Sequence, residues 1–148
     1  MRELPRQLTA EELAELFEGR TTLVQRLAER EDPLGAAADE VIAGLSEHEK
    51  IEALNAHPQI GARSGLSTRS AAEQGTDTDP VVLSELAYLN QVYEEKFGFR
   101  FVVFVDGRSK RVILDVLRER LARMHEEELD TAVRELVAIA RDRWTRTT

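Results

Sequence analysis

The sequence contains no cysteine among its 148 residues. The chain therefore forms no disulfide, and it offers neither a thiolate zinc ligand nor a cysteine nucleophile. Its three histidines lack metal-site spacing such as His-x-x-x-His, so we expect no metal site. A glycine-rich phosphate loop and a Gly-x-Ser-x-Gly elbow are also absent, which removes two common signatures of nucleotide binding and serine catalysis.

Basic residues are fewer than acidic ones: the sequence has 20 Lys and Arg residues and 28 Asp and Glu residues, which gives a net charge of −8. A nucleic-acid binder needs a basic face, so this balance argues against one. No apolar run approaches the roughly 18 residues of a membrane-spanning helix, and the first residues show no signal-peptide pattern. The sequence ends Thr-Arg-Thr-Thr, without a peroxisomal Ser-Lys-Leu signal. We expect one soluble, cytoplasmic domain over residues 1–148 that binds neither nucleic acid nor membrane.

Helical periodicity and helix-capping residues fill most of the chain. The predicted helix starts are two capping boxes and two single caps: Thr9 with Glu12, Ser46 with Glu49, Asp79 before Pro80, and Ser109. Gly19 and Gly98 are expected to end helices, and the last helix is expected from about Glu126 to Trp144. The pattern predicts an all-α, single-domain bundle of about seven to eight helices.

One segment, Phe99–Val105 (FRFVVFV), departs from this pattern, because aromatic and β-branched residues favour a strand. No second strand of similar strength is available to pair with it. We therefore predict a short, buried, extended connector within the helical fold. Its backbone N–H and C=O groups need partners, and two interpretations have comparable weight. Either a polar ligand bonds to them, or two such segments pair across a dimer axis.

Polar side chains are concentrated in the poorly helical stretch His57–Gln74. Pro58 disfavours helical geometry at the residue before it, so His57 is expected to end a helix. A histidine in this position is more often a helix-end residue than a catalyst. Because histidine titrates near neutrality, it is also the usual proton-transfer group, and both readings stay open. His48 and His125 lie in charged helical contexts and are expected at the surface.

Glu73 and the C-terminal arginines have simple structural explanations beside their functional ones. Ser70 with Glu73 forms a further capping box, while Gln74 has no such local role. Arg141 and Arg143 would complement the helix dipole, and a guanidinium would also suit an anionic ligand. Since residues two apart lie about 200° apart around a helix, only one of the two arginines is expected to face a pocket.

Four segments combine into a specific pattern that covers nearly the whole chain. In order, they are His57-Pro58-x-x-Gly61, Ser70-x-x-Glu73-Gln74, Leu89-Asn90-x-x-Tyr93-x-x-Lys96-Phe97-Gly98-Phe99-x-Phe101-Val102 and Ile139-Ala140-x-x-Arg143. Together they resemble the family of OHCU decarboxylases, where OHCU is 2-oxo-4-hydroxy-4-carboxy-5-ureidoimidazoline, an intermediate of urate breakdown. The resemblance implies an all-α, commonly dimeric enzyme. It would decarboxylate OHCU to (S)-allantoin without a metal or an organic cofactor.

The resemblance also implies a role for each matched residue. His57 would be the catalytic proton-transfer residue, and Glu73 would orient the reacting groups. The substrate-binding residues would be Pro58, Ser70, Glu73, Gln74, Arg143 for an anionic part of the substrate, and the main-chain groups of Phe101, Val102, Val103, Phe104 and Val105. The expected partners are a small anionic substrate and a second copy of the chain in a homodimer.

The chain departs from the family pattern in three places. Arg100 stands where proline is common, Ala62-Arg63 stands where lysine often follows the glycine of the first segment, and the stretch after Gln74 is short. Two other functions fit the residues. One is a cofactor-free lyase for a related ureido acid, and the other is a helical interaction module without enzymatic activity.

Overall fold

The helices of the protein follow from its capping residues and its apolar periodicity. The computed structural model describes residues 3–58 and 79–146. In these ranges there are seven α-helices and no strand: α1 Ala10–Phe17, α2 Thr22–Ala28, α3 Ala36–Gly44, α4 Glu47–Asn55, α5 Pro80–Phe97, α6 Lys110–Leu121 and α7 His125–Arg146. The all-α prediction is confirmed. The predicted site residues Ser70, Glu73 and Gln74 lie outside the described residues.

The predicted helix starts are present as hydrogen-bonded caps. At α1, the Thr9 hydroxyl accepts from the backbone N–H of Glu12, and the Glu12 carboxylate accepts from the backbone N–H of Thr9, each at 3.1 Å. Ser46 and Glu49 make the same reciprocal pair at α4. The two single caps before α5 and α6 are also formed. Each cap satisfies N–H groups that a helix leaves without partners in its first turn.

The end of α1 differs from the prediction, whereas the end of α5 agrees with it. Gly98 ends α5 with a φ of 81°. In α1, however, Glu18 takes the left-handed conformation, with a φ of 61°, although its Cβ makes this geometry unfavourable. Gly19 serves a different purpose, because a Cβ there would lie 3.0 Å from the Cβ of Ala56, which follows α4. The ends of α1 and α4 are therefore in direct contact.

The core is built around the long helix α7. This helix packs against α1, α3 and α4, while α5 packs against α6. The apolar residues that α7 buries recur at helical spacing: Leu129, Ala132, Val133, Leu136, Val137, Ile139 and Ala140. They join buried residues from both described ranges in one hydrophobic cluster. The C-terminal turns of α7 are thereby held close to the end of α1.

The segment Phe99–Val105 connects α5 to α6 as a buried, extended chain, as predicted. Side chains of the protein bond to much of its backbone. The N–H of Arg100 donates to Asn55 Oδ1 (3.1 Å), the N–H of Phe104 donates to Glu135 Oε1 (3.2 Å), the carbonyl of Val102 accepts from Arg120 Nη1 (2.8 Å), and Arg108 donates to the carbonyls of Phe104 and Val105. These groups therefore need neither a ligand nor a second connector across a dimer axis.

A buried ion pair fixes the middle of this connector. Arg120 is 4% exposed, and its Nε donates at 2.7 Å to Oε2 of Glu128, which is fully buried. The Tyr93 hydroxyl donates to the same carboxylate oxygen. Burial, and then this hydrogen bond, raise the pKa of Tyr93 far above its ordinary range, so it remains a neutral donor. The Arg120 guanidinium also lies 4.6 Å from the ring centroid of Phe101.

The two remaining histidines differ from one another. His48 is exposed, as expected. His125 is half-buried instead, with a ring nitrogen 3.0 Å from the carbonyl oxygen of Phe97 and its ring edge-on to Phe99. Across the described ranges, none of the helices combines the length and the apolar character that spanning a bilayer requires.

We expect Arg120→Met to lower the free energy of unfolding by about 3–5 kcal/mol, because it leaves the Glu128 carboxylate buried without its cation. The matched control is Arg118→Met on the same helix, where both Arg118 and its partner Glu85 are nearly half exposed. That change should cost at most about 1 kcal/mol. Urea unfolding followed by circular dichroism measures both. Equal costs for the two variants would contradict a structural role for the buried pair.

Candidate active site

His57 lies directly after α4 and is buried. Its backbone N–H donates to the carbonyl of Leu54 at 3.1 Å, which closes the last turn before Pro58, so the predicted helix end is confirmed. The residue is 8% exposed, and Pro58 is half-buried beside it. Histidine occurs at both buried and exposed positions in proteins, so the surroundings of the ring determine its chemistry.

In the described part of the chain, a charged side chain at the end of α1 and another on α7 face the His57 ring. Oε2 of Glu18 lies 3.5 Å from His57 Nδ1 and 3.7 Å from Nη2 of Arg143. Arg143 is 3% exposed, and its Nη1 donates to the carbonyl of Leu16 at 2.7 Å. Arg141 points elsewhere and bonds to the carbonyls of Leu34 and Gly35. The C-terminal ends of α1, α4 and α7 therefore meet here, and Arg143 is the arginine that faces His57.

Arg100, at the start of the connector, contacts His57 from another direction. Its Nη1 donates to the carbonyl of His57 at 2.6 Å, and its backbone N–H donates to Asn55 at the end of α4. Its Nε lies 3.8 Å from Glu94. A proline at this position could make neither hydrogen bond, because it has no N–H and no guanidinium. In this chain, Arg100 therefore ties the connector to the end of α4.

This environment keeps the His57 imidazole neutral. Burial, and then the positive charge of Arg143, lower the pKa of His57 from 6.5 to about 4. Arg100 lowers the pKa further, and Glu18 opposes these effects by favouring the charged ring. Nδ1 is buried and has no hydrogen-bond partner in the described part of the chain. At neutral pH the ring is therefore uncharged and able to accept a proton.

The connector also contains buried main-chain groups. Phe101 and Val103 are buried, and within residues 3–58 and 79–146 their backbone groups form no hydrogen bond. The backbone groups of these two residues are thus available for the binding role predicted for Phe101–Val105. At Val102, Phe104 and Val105, protein side chains already occupy one or more groups.

Of the predicted site residues, the structure brings His57, Pro58 and Arg143 together. Arg100, which was not predicted as a site residue, ties the connector to them. The catalytic and binding roles of Ser70, Glu73 and Gln74 stay predictions. Glu18 is the residue that the sequence analysis missed. A signal was present, because an acidic residue at a helix C-terminus opposes the helix dipole, and α1 has no basic residue in its last turn. Such a residue calls for a cationic partner from elsewhere in the fold.

Among residues 3–58 and 79–146, no three acidic or histidine side chains are grouped so that they could hold a metal ion.

Comparison with known proteins gives consistent relatives. A crystal structure of OHCU decarboxylase in the presence of (S)-allantoin superposes with a TM-score of 0.73 at 26% identity, covering 91% of this chain and 96% of that one. A 2-oxo-4-hydroxy-4-carboxy-5-ureidoimidazoline decarboxylase of Halalkalicoccus jeotgali is 32% identical over 113 residues, which are 74% of this chain and 64% of the relative.

Two larger relatives match over a part of their length. A uric acid degradation bifunctional protein of Arabidopsis thaliana is 38% identical over 98 residues, which are 60% of this chain and 30% of that protein. A bifunctional protein of the same description from Bacillus sp. is 31% identical over 68% of this chain and 21% of its own length. The chain thus spans less than a third of these bifunctional relatives. The sequence profile described as OHCU decarboxylase matches residues 2–145, and the chain belongs to the OHCU decarboxylase family.

Proposed function

We propose that the protein decarboxylates OHCU to (S)-allantoin in urate breakdown, as a carboxy-lyase. Family membership supports this, as does the likeness to a decarboxylase whose crystal structure was determined with (S)-allantoin. The observation that supports it most is a buried, neutral His57 in the company of a buried Arg143. A base and a cation are the two groups that this reaction needs.

The chemistry of the substrate makes these requirements specific. The carboxylate of OHCU is attached to a carbon that carries a hydroxyl group and adjoins a C=N bond. When the bond to CO2 breaks, its electron pair forms a C=C bond to the adjoining carbon while the π pair of the C=N bond moves onto nitrogen, so the substrate supplies its own electron sink. The hydroxyl then loses its proton as the carbonyl of allantoin forms. The ring carbon and ring nitrogen take up two protons, one of them the former hydroxyl proton and the other from solvent.

In this proposal, His57 accepts the hydroxyl proton at Nε2 and returns it to the ring. A neutral imidazole can do this, whereas an imidazolium cannot. If the proton is returned from one face only, a single enantiomer results. Because His57 is held through its carbonyl by Arg100 and faces Glu18 and Arg143, its ring is positioned before the substrate arrives.

Arg143 holds the anionic part of the substrate in this proposal. A guanidinium matches a carboxylate with two parallel hydrogen bonds, and a buried one does so without competition from water. Phe101 and Val103 offer main-chain groups to the polar edge of the ring. Ser70, Glu73 and Gln74 complete the binding site in this proposal, with Pro58 lining it and Glu73 orienting the reacting groups. The proposal also includes a cytoplasmic homodimer that uses no cofactor, as the family resemblance implies.

The first test is circular dichroism of OHCU generated in situ from urate. Uncatalysed decay gives racemic allantoin, so a fast and signed signal reports both catalysis and stereocontrol. We expect His57→Asn to reduce the rate by about 100-fold or more, the usual contribution of a general acid–base group. His48→Asn, an exposed histidine on the preceding helix, is the matched control and should keep the wild-type rate. Full activity of a folded His57→Asn variant would refute the assigned role.

A second test uses pH. Because kcat/KM reports the free enzyme, it should stay level between about pH 5 and 8 and fall as His57 becomes protonated near pH 4. An ordinary exposed histidine, with a pKa of about 6.5, would instead make the activity fall below pH 6.5. Stopped-flow measurements across this range distinguish the two profiles. A decline that starts near pH 6.5 would contradict the buried, neutral state of the ring.

The role of Arg143 can be tested by a change that keeps its charge. Arg143→Lys retains a cation but loses the planar fork, so kcat/KM should fall by about 10- to 100-fold, the size of a charged hydrogen bond. Arg141→Lys, two residues earlier on α7 and bonded to Leu34 and Gly35, is the control. Steady-state kinetics compares the two variants, and an equal response of both would argue against substrate binding by Arg143.

A further inference from the structure

Glu18 occupies a position that is unfavourable for an acidic residue on three counts. Its side chain is 11% exposed, its backbone is left-handed, and it lies at the negative end of α1. Asparagine or glycine would fit the same turn with less strain. An acidic residue in such a position calls for a specific interaction, and its carboxylate lies between His57 and Arg143.

The first of these groups is the His57 ring. Nδ1 is buried without a hydrogen-bond partner among the described residues, and Oε2 of Glu18 lies 3.5 Å away. Buried polar atoms are rarely left unpaired, and catalytic hydrogen bonds are often long before the substrate binds. Among residues 3–58 and 79–146, the charged side chains that face the ring are Glu18 from the end of α1, Arg143 from α7 and Arg100 from the connector. Glu18 is the carboxylate among these three.

We propose that Glu18 is a positioning residue that accepts the Nδ1–H of His57 and stabilises the imidazolium formed when Nε2 takes the substrate proton. This inference rests on the proposed decarboxylation. No bond to Glu18 forms or breaks, because the proton moves from the substrate hydroxyl to Nε2 and the Nδ1 proton stays on the ring. The carboxylate fixes the tautomer that leaves Nε2 free to act as the base.

The second group is Arg143, and it links this step to substrate binding. In the structure, one Glu18 oxygen lies 3.5 Å from His57 and 3.7 Å from Arg143, so the two compete for it. An anionic substrate on Arg143 neutralises the charge that opposes protonation of His57. It also weakens the hold of Arg143 on Glu18. Substrate binding thus strengthens His57 as a base at the moment when the proton must be accepted.

The test compares Glu18→Gln, which keeps the shape and removes the charge, with Glu40→Gln as a control. Glu40 pairs with Arg30 at an exposed site on another helix. We expect Glu18→Gln to lower kcat by about 10- to 100-fold, the loss of a charged hydrogen bond, without raising KM. The midpoint of the His57 resonance in an NMR titration should move to lower pH, because the group that favours the charged ring is gone. Glu40→Gln should change neither quantity.

The conservative variant Glu18→Asp keeps the charge and tolerates a left-handed backbone. The midpoint of its His57 NMR titration should therefore lie closer to the wild-type value than that of Glu18→Gln. If Glu18→Gln does not fold, Glu18→Asp takes its place in the test. Its shorter side chain places the carboxylate farther from His57, so the midpoint of the His57 titration should then lie somewhat below that of the wild type. The inference is overturned if kcat and the His57 midpoint both stay at wild-type values in the folded variants. If the wild type does not turn over OHCU but the midpoint still moves in Glu18→Gln, the decarboxylase proposal fails while the coupling of Glu18 to His57 stands.

Discussion

A buried stretch of extended chain inside a helical protein must satisfy its backbone polar groups without a neighbouring strand, and much of this structure answers that constraint. The connector Phe99–Val105 obtains its hydrogen bonds from side chains of α4, α6 and α7 and from the turn before α6. Each of these side chains bonds to a particular residue of the connector, so the positions of the helices that carry them are fixed relative to the connector. The buried Arg120–Glu128 pair holds in place the guanidinium that bonds to the carbonyl of Val102. Through Arg100, the same connector also holds the carbonyl of His57.

Features decided by local chemistry could be predicted from the sequence. The capping boxes, the end of α5 at Gly98 and the extended connector each depend on residues within a few positions of one another. The pairing of Arg120 with Glu128 and the choice of Arg143 over Arg141 depend on how helices pack. Periodicity shows that a residue lies on one side of a helix, but it does not show which other helix lies opposite. Glu18 was missed for the same reason, since its partners lie 39 and 125 positions away along the chain.

Two arginines act on His57 within a protein of negative net charge, and each has a carboxylate beside it. Arg143 is buried, and Arg100 is held nearby by hydrogen bonds to the end of α4 and its own ion pair with Glu94. In a medium of low dielectric constant, these fixed charges act on His57 more strongly than exposed arginines would. An anion entering the site therefore changes the electrostatic state of the histidine as well as its own solvation. The base strength of His57 can therefore differ between the free protein and its complex with an anion.

The contact between Gly19 and Ala56 has a consequence for how this site can vary among related sequences. Alanine at position 19 would press its methyl group against the methyl of Ala56 and push the ends of α1 and α4 apart by a few tenths of an ångström. Such a shift is small for a helix bundle but large for the distance between a carboxylate and an imidazole nitrogen. The absence of a Cβ at position 19 thus sets how closely the ends of α1 and α4 approach each other. A side chain at position 19 therefore changes the distance between Glu18 and His57 as well as the packing of the two helix ends.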